Sequence, residues 1–441
     1  MLGSPGSTAI ADLQKKLFQL WLVRAVVGSF FLVRGLCLLA FDQYKGISNL
    51  CWVYRVSGVG LLRSIAYRIV TGFISRRSGS ESRLVKAFLD SEAPALCKKR
   101  FLGETLNLDS MFRDFIVLKP SSEGEKGVLV LEYSQKFDLF IALFDLNRIM
   151  KDYYVVLEPC WAGYCDPSIL MFVSSLNEVI VQCPEKNDLD FISGLKRNLI
   201  PIGLGSSDWI DSELFAPRQE KRLKEYDLVM VANWAKHKNH RQLFKALCRV
   251  RHRPLSLLLI GVDWGGRTDK DIVSEMSEYN LSHVKLEIKK NIPAREVADC
   301  LEKSKVFLLL SEKEGSNRAI VEALFSDVPA ILYEKFIGGA RGKINERTGV
   351  LSSFQDLHSK IDYMLEGYRR FTPRAWALEH TGSKNATRKL NSLLKTIAES
   401  KGEQWTADIV EKVNNPNFSY KVKDSIPRSR QAKAIAEVYY R

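Results

Sequence analysis

Two glutamates eight residues apart, Glu314 and Glu322, flank a turn and a helix start in the stretch LLSEKEGSNRAIVEALFSDVPAIL, residues 309–332. Ser311 to Gly315 reads as a turn after an apolar run, and Ser316 as the cap of a helix beginning near Asn317. The first turn of a helix presents backbone N–H groups and a positive dipole end, so an anion fits there. Arg318 sits at that end, where a cation weakens a helix unless an anion is bound. Glu322 lies ~8 Å along the axis from Asn317. It is placed to accept hydrogen bonds from hydroxyls on one side of a bound diphosphate while Glu314 reaches the other side. That spacing suits a ribose, a diphosphate and a hexose in line. A surface helix with two solvated glutamates gives the same residue pattern.

Other residues of chemical interest follow apolar runs. EPCWAGYCDP, after the run 154–158, brings Glu158, Trp161, Tyr164 and Asp166 to a strand end. Trp161 and Tyr164 can stack on an acceptor sugar or lipid, and Asp166 can orient or deprotonate an acceptor hydroxyl. A packed loop with Trp161 in the core is the other reading. GSSDW (205–209) places Gly205 and Ser206 near a hinge, within reach of a donor. Asp188/Asp190 and Asp269/Asp271 have the D-x-D spacing of metal-dependent transferases, but a chain this rich in Asp yields such pairs by chance. The eight Cys are scattered without a C-x-x-C and the six His do not pair with them at ligand spacing. Reduced thiols and no metal or other cofactor are expected.

The elements that must position these residues read as short continuous apolar runs alternating with helical patterns. They fall in two series: 115–119, 127–133, 154–158, 179–183 and 199–203, then 228–232, 255–261, 284–288, 306–310 and 329–333. Continuous runs imply strands buried on both faces, hence parallel sheets covered by helices. Two doubly wound α/β units facing a cleft are expected, with ligands beyond the carboxyl ends of the strands. The organisation expected is a helical region over 1–80, an acceptor unit over 81–217, a donor unit over 218–380, and a helix with an irregular tail over 381–441.

With 441 residues, 46% of them hydrophobic, the chain has the material for such cores. The net charge of +14 is concentrated at the start, where residues 1–80 carry ten Lys and Arg against two Asp. KKLFQLWLVRAVVGSFFLVRGLCLLAF lacks the cleavage site of a secretory signal, and its arginines make it a poor membrane span. On a helix Lys16, Arg24 and Arg34 share one stripe of an otherwise apolar cylinder. A helix in the headgroup layer of an anionic membrane is one reading, and a helix buried against the main body is the other. Basic residues alternating with aliphatics argue against a nucleic-acid partner.

The Ser311-x-x-Glu314-Gly315 … Glu322-Ala323-Leu324 … Pro329 pattern resembles the E-x7-E signature of retaining glycosyltransferases of family 4, which have the GT-B fold. MVANWAKHKNHRQLFKAL (230–247), LLLIGVDWGG (257–266), Gly338–Gly339, ERTGVL (346–351) and LIPIGLGSSDWIDSELFAP (199–217) are similar to further elements of that family. The resemblance implies two Rossmann-like domains and transfer of a sugar from a nucleotide-sugar with retention. Glu314 would meet the transferred sugar and Glu322 the ribose, with Gly315, Ser316, Asn317, Gly261, Gly205 and Ser206 around the donor. Lys238 falls at the lysine that balances the departing diphosphate. Asn233 stands where the family has an arginine, and Arg318 is the candidate for the missing cation. The donor half needs no metal. The acceptor implied is a glycan or polyprenol-linked glycan, and the setting is the cytoplasmic face of the membrane in cell-surface polysaccharide synthesis. A non-catalytic GT-B scaffold is the alternative, and Asp327, where the family commonly has Gly, is a second departure.

Overall fold

The computed structural model describes residues 21–78, 81–102, 115–173, 177–218, 223–414, 418–422 and 428–441. Lys16, part of the expected basic stripe, and residues 79–80 and 219–222, beside the expected boundaries after 80 and 217, lie outside them.

The second series of apolar runs forms a six-stranded parallel sheet: β6 (Tyr226–Val231), β7 (Leu255–Gly261), β8 (Val284–Lys290), β9 (Ser304–Leu309), β10 (Ala330–Tyr333) and β11 (Gly349–Ser352). Its order, β8-β7-β6-β9-β10-β11, reverses direction beside β6 and is doubly wound. Apolar side chains fill both faces, Val229, Leu258 and Phe307 on one and Leu228, Leu257 and Leu308 on the other.

The first series forms a five-stranded sheet, β1 (Phe115–Lys119), β2 (Gly127–Glu132), β3 (Tyr153–Glu158), β4 (Val179–Gln182) and β5 (Leu199–Ile202). Here the structure departs from the expected double winding. The strands lie in chain order, and β1 pairs antiparallel with β2 while the rest are parallel. Right-handed crossovers that always step the same way put the linking helices on one face. Phe137, Phe140, Ile169 and Phe191 from those links accordingly pack with Val117, Leu129, Val155 and Val181. The opposite face needs another cover. Helix α9 (Ser383–Ser400) returns from the second unit and lays Ala386, Leu390 and Leu394 on Ile116, Val130 and Val156. The tail expected to be irregular adds an antiparallel pair, β12 (Lys412–Asn414) with β13 (Phe418–Tyr420), on that face. Helix α10 (Arg428–Tyr439) follows and seats Ile435 and Tyr439 on the other face.

The N-terminal region is helical: α1 (Trp21–Leu38), α2 (Gln43–Val56) and α3 (Gly60–Ile74). Helices α1 and α2 form an antiparallel hairpin so close that a Cβ at Gly35 would lie 3.0 Å from Leu50 Cγ. Arg24 Nε donates to Val56 O at 2.8 Å, so this arginine of the basic stripe turns toward α2. Ile47, Leu50 and Cys51 of α2 and Val70 of α3 join the core of the first sheet. The outer side of α1 stays exposed, with Leu22, Val26, Phe30 and Val33 each about 60% accessible or more. In length and composition α1 suffices to cross a membrane, a point on which it differs from the sequence expectation.

Candidate functional site

At the carboxyl end of β9 the chain turns through 310–317 into helix α8 (Arg318–Phe325). The cap is Asn317, whose Oδ1 accepts from Ile320 N–H at 3.0 Å, and not Ser316 as the sequence suggested. Ser316 is used elsewhere: its Oγ accepts from Ser207 N–H at 3.0 Å and lies 2.6 Å from Ser207 Oγ. Asn317 Nδ2 also donates to Glu314 Oε2 at 2.8 Å, so one residue caps the helix and aims the first glutamate. Gly315 is required by packing, because a Cβ there would lie 2.2 Å from Cys160 O in the first unit. Gly339 N–H donates to Gly315 O at 2.8 Å and backs the loop from behind.

Lys238 Nζ donates to Glu314 Oε1 at 2.6 Å, and both side chains are almost buried. Asn239, in the left-handed region with φ 63°, donates from Nδ2 to Leu310 O and ties the lysine's turn to the end of β9. Burial pushes the Glu314 carboxyl up, but the Lys238 ammonium and the Asn317 hydrogen bond outweigh it and hold it below the usual range. Glu322, four residues after Arg318 on α8, has its carboxyl pushed up to about 7 by burial, with Arg318 opposing. The same helix end therefore carries one carboxylate held ionised and one poised near neutrality. His240, one residue beyond Asn239, is buried, and burial holds its pKa at about 3, so it is a neutral core residue.

Asn233 does not supply a substitute for the absent arginine. Its Oδ1 accepts from Ala235 N–H at 3.2 Å, which makes it a turn residue. Gly261 ends β7 where a Cβ would lie 2.4 Å from Ala232 O, a packing requirement. Asp327 occupies φ 57°, which is why a glycine suits the position.

The two units meet beside this loop. Ser206 Oγ donates to Ser316 O at 3.0 Å, and a Cβ at Gly205 would touch Ser316 at 2.8 Å. Gly205 and Ser206 thus hold the helix entry from the first unit. Next to them Asp208 takes Lys343 Nζ at 2.5 Å and Thr381 Oγ1 at 2.6 Å, a buried ion pair joining the units.

On the first unit's side the expected residues separate. Trp161 is 46% exposed, and its ring lies 6.5 Å from that of His237 in the second unit. Tyr164 is a correction. It is buried and its hydroxyl donates to Gln182 O at 2.7 Å, so it has no free face for an acceptor. Asp166 Oδ2 accepts from Arg55 Nη1 of α2 at 2.5 Å, and its Oδ1 accepts from Ser168 N–H and Oγ. With a guanidinium, an amide and a hydroxyl already donating to it, Asp166 fixes loop and helix together instead of standing open as a base. Asp188 receives the N–H groups of Gly163 and Tyr164, and Asp271 the N–H and the hydroxyl of Thr268.

Sequence reasoning passed over Glu132. It ends β2 beside Glu158, its in-register neighbour on β3, and is 4% exposed. Glu158 is matched by buried Lys412 at 2.6 Å and by Asn414 at 2.9 Å from the tail. Among the described residues Glu132 Oε2 has no hydrogen-bond partner, and burial followed by the Glu158 charge pushes its carboxyl well up. The carboxyl-end rule for parallel strands would have found it, applied to the loop after 132 as it was to the loop after 158.

Residues 211–376 match the family model described as glycosyl transferases group 1, a segment that contains Lys238, Glu314, Arg318 and Glu322. No curated protein matches the chain. Among solved structures it is similar to S. aureus TarM, seen with fondaparinux, alpha-GlcNAc-glycerol and UDP. The two are 15% identical with a TM-score of 0.47, over 60% of this chain and 55% of that one. Anabaena HepE in complex with UDP is 14% identical with a TM-score of 0.46, over 60% and 78% of the two chains. The catalytic domain of a Helicobacter pylori cholesterol-alpha-glucosyltransferase is 22% identical with a TM-score of 0.31, over 35% and 99%.

Proposed function

We propose that this chain is a GT-B glycosyltransferase that moves a hexose from a nucleotide-sugar to a glycan or lipid-linked acceptor with retention of configuration. The observation that carries the proposal is the Lys238–Glu314 pair at the capped entry of α8, inside the segment matched by the group 1 model. A diphosphate bound at the helix end takes the positive dipole end, Lys238 and Arg318 as counter-charges. These neutralise it as the glycosidic bond breaks, which is where preorganised charge lowers a barrier most. Glu314 holds hydroxyls of the transferred sugar and Glu322 those of the ribose. Acceptor attack then comes from the Trp161 side on the face the diphosphate leaves.

The chain works on the cytoplasmic face of an anionic membrane, in assembly of a cell-surface polysaccharide. Its exposed apolar α1 lies in the headgroup layer rather than across the bilayer. Along its length α1 packs on α2, and α2 is anchored to the first unit by Arg55–Asp166. A transmembrane α1 would draw that charged partner into hydrocarbon.

The test is a panel of UDP-, GDP- and ADP-sugars scored by thermal shift and by slow release of nucleotide without acceptor. One nucleotide raising the melting temperature and being released supports transfer, and absence of binding by every donor overturns it. Binding without release, in any acceptor mixture, favours a second reading, a non-catalytic nucleotide-sugar scaffold. Asn233 at the family's arginine position is what speaks for that reading.

A further inference from the structure

Beside Trp161 lies a pocket of about 470 Å³. The added N-terminal region supplies one wall, with Tyr44 and Arg55 of α2. Arg100, from the helix Ala93–Leu102, and Asp138, from the helix Ser134–Leu143, supply two more, and the loop from Trp161 to Asp166 closes it. Its contents are chemically uneven. Asp138 Oδ2 accepts a long hydrogen bond of 3.3 Å from Tyr44, while Oδ1 is buried and has no partner among the described residues. A buried carboxyl oxygen without a donor is costly, and a ligand hydroxyl would relieve that cost. Cations stand on another side: Arg100 and Lys136 lie 5.0 and 4.4 Å from the Phe101 ring, which also lines the pocket. Arg55 is there as well, balanced by Asp166. Trp161, half-exposed, offers an aromatic surface of the kind sugar rings pack against. The backbone of Trp161 lies against Gly315, so the pocket adjoins the donor loop.

We infer that this pocket is the acceptor site, and that the acceptor is a sugar bearing a phosphate. The ring packs on Trp161, one hydroxyl donates to Asp138, and the phosphate lies against Arg100 and Arg55. Asp138, and not Asp166, is then the carboxylate that meets the acceptor, and Asp166 is a positioning residue acting through Arg55. The assignment rests on the sugar-transfer reading above, and it explains why the N-terminal helices are built into the first unit. They complete a wall.

The experiment uses the full chain with UDP present, and reads dissociation constants by ligand-observed NMR for glucose 6-phosphate, glucose and inorganic phosphate. A parallel arm measures sedimentation with phosphatidylcholine vesicles carrying either phosphatidylinositol or an equal charge of phosphatidylglycerol, which separates a soluble phosphosugar from a lipid-borne ring phosphate and both from attraction to anionic lipid. Glucose 6-phosphate, or phosphatidylinositol vesicles, should bind at least about tenfold more tightly than glucose, phosphate or phosphatidylglycerol vesicles, a difference of about 1.4 kcal/mol. Asp138→Ala and Trp161→Ala should each remove about tenfold or more of that affinity, with UDP binding unchanged. Asp138 is half-buried and packed into the unit, so Leu96→Trp at the exposed rim provides a variant that fills the pocket without touching the core. It should block the phosphosugar alone. Unchanged binding in Leu96→Trp, or equal affinity for glucose and glucose 6-phosphate, overturns the inference. Failure of UDP, GDP and ADP alike to bind the wild-type chain strikes the transfer reading instead, and the phosphosugar titration still reports on the pocket.

Discussion

The two units solve the same problem with different material. The second sheet is doubly wound, so its own crossover helices cover both faces, and its site is built from one strand–turn–helix and the neighbouring Lys238 turn. The first sheet steps in one direction, and its second face is covered by α9 and the β12–β13 hairpin. Its remaining surface is extended by the N-terminal helices. A self-contained unit concentrates its chemistry in a short stretch of sequence. A unit assembled from distant segments spreads it over residues 44 to 414, as Tyr44, Asp138, Glu158 and Lys412 illustrate.

The largest expected effect falls on the self-contained side. Glu314→Ala and Lys238→Ala should each lower transfer about 10²–10³-fold, because each leaves the other charge buried and removes a group facing the reacting centre. Both should leave phosphosugar binding in the first unit intact. Wild-type turnover in both variants would sink the transfer reading, and loss of phosphosugar binding would show that the two halves are less separate than their construction implies.

Next comes the assembled side. Lys412 and Glu158 are 0% and 1% exposed, and removing the lysine leaves Glu158 beside Glu132 with no buried cation at hydrogen-bond distance. Lys412→Ala should cost about 3–5 kcal/mol in chemical denaturation. A loss under about 1 kcal/mol would mean that the tail merely rests on the sheet. Glu132→Gln in the same background should recover part of the loss, since it removes one of the two acids.

A subtler distinction lies in pH. Burial pushes Asp138 up to about 7 and Asp188 up to about 6 in the first unit, with the Asp166 charge adding to the former. For Asp138 the folded state holds the proton that the unfolded chain releases near pH 4, so it costs stability as pH rises from about 4 to 7. Asp138→Asn should therefore gain on the wild type across that window and level off above it, measured as the difference between two denaturation series. In the second unit the analogous group is Glu322, near 7. Only as a carboxylate does it accept fully from ribose hydroxyls, so the donor dissociation constant should fall several-fold from pH 6 to 8. Glu322→Gln should flatten that profile, and a flat wild-type profile would remove the ribose assignment.

This contrast also governs what the sequence made legible. Around α8 the strand, turn, helix and glutamate spacing could be read directly, because the contacts among Lys238, Glu314 and Asn317 are mostly made within one unit. The cap moved from Ser316 to Asn317 because Ser207, over 100 residues away, claims the serine hydroxyl. In the first unit Trp161 could be singled out, but Tyr164 and Asp166 read as open groups because their partners, Gln182 and Arg55, lie on other elements. Asp138 carries no local signature at all. Its meaning comes from Tyr44 and from a pocket whose walls are brought together only by the fold.

Asp327 gives the smallest and most local comparison, since a donor-side departure from the family pattern should behave as plain backbone strain. The residue sits at φ 57°, where a side chain costs about 1–2 kcal/mol relative to the right-handed region and Asp is among the better tolerated. Its Oδ1 accepts from Arg374 N–H at 3.2 Å at an exposed site, a bond of about 0.5–1 kcal/mol. Asp327→Gly relieves the strain, loses that bond, and adds conformational freedom to the unfolded chain. These terms nearly cancel, leaving an expected change within about 1 kcal/mol in denaturation and no change in donor binding. A loss well above 1 kcal/mol would show that the Arg374 contact, which ties β10's approach to the helix Pro373–His380, supports the donor sheet more than the backbone angle strains it.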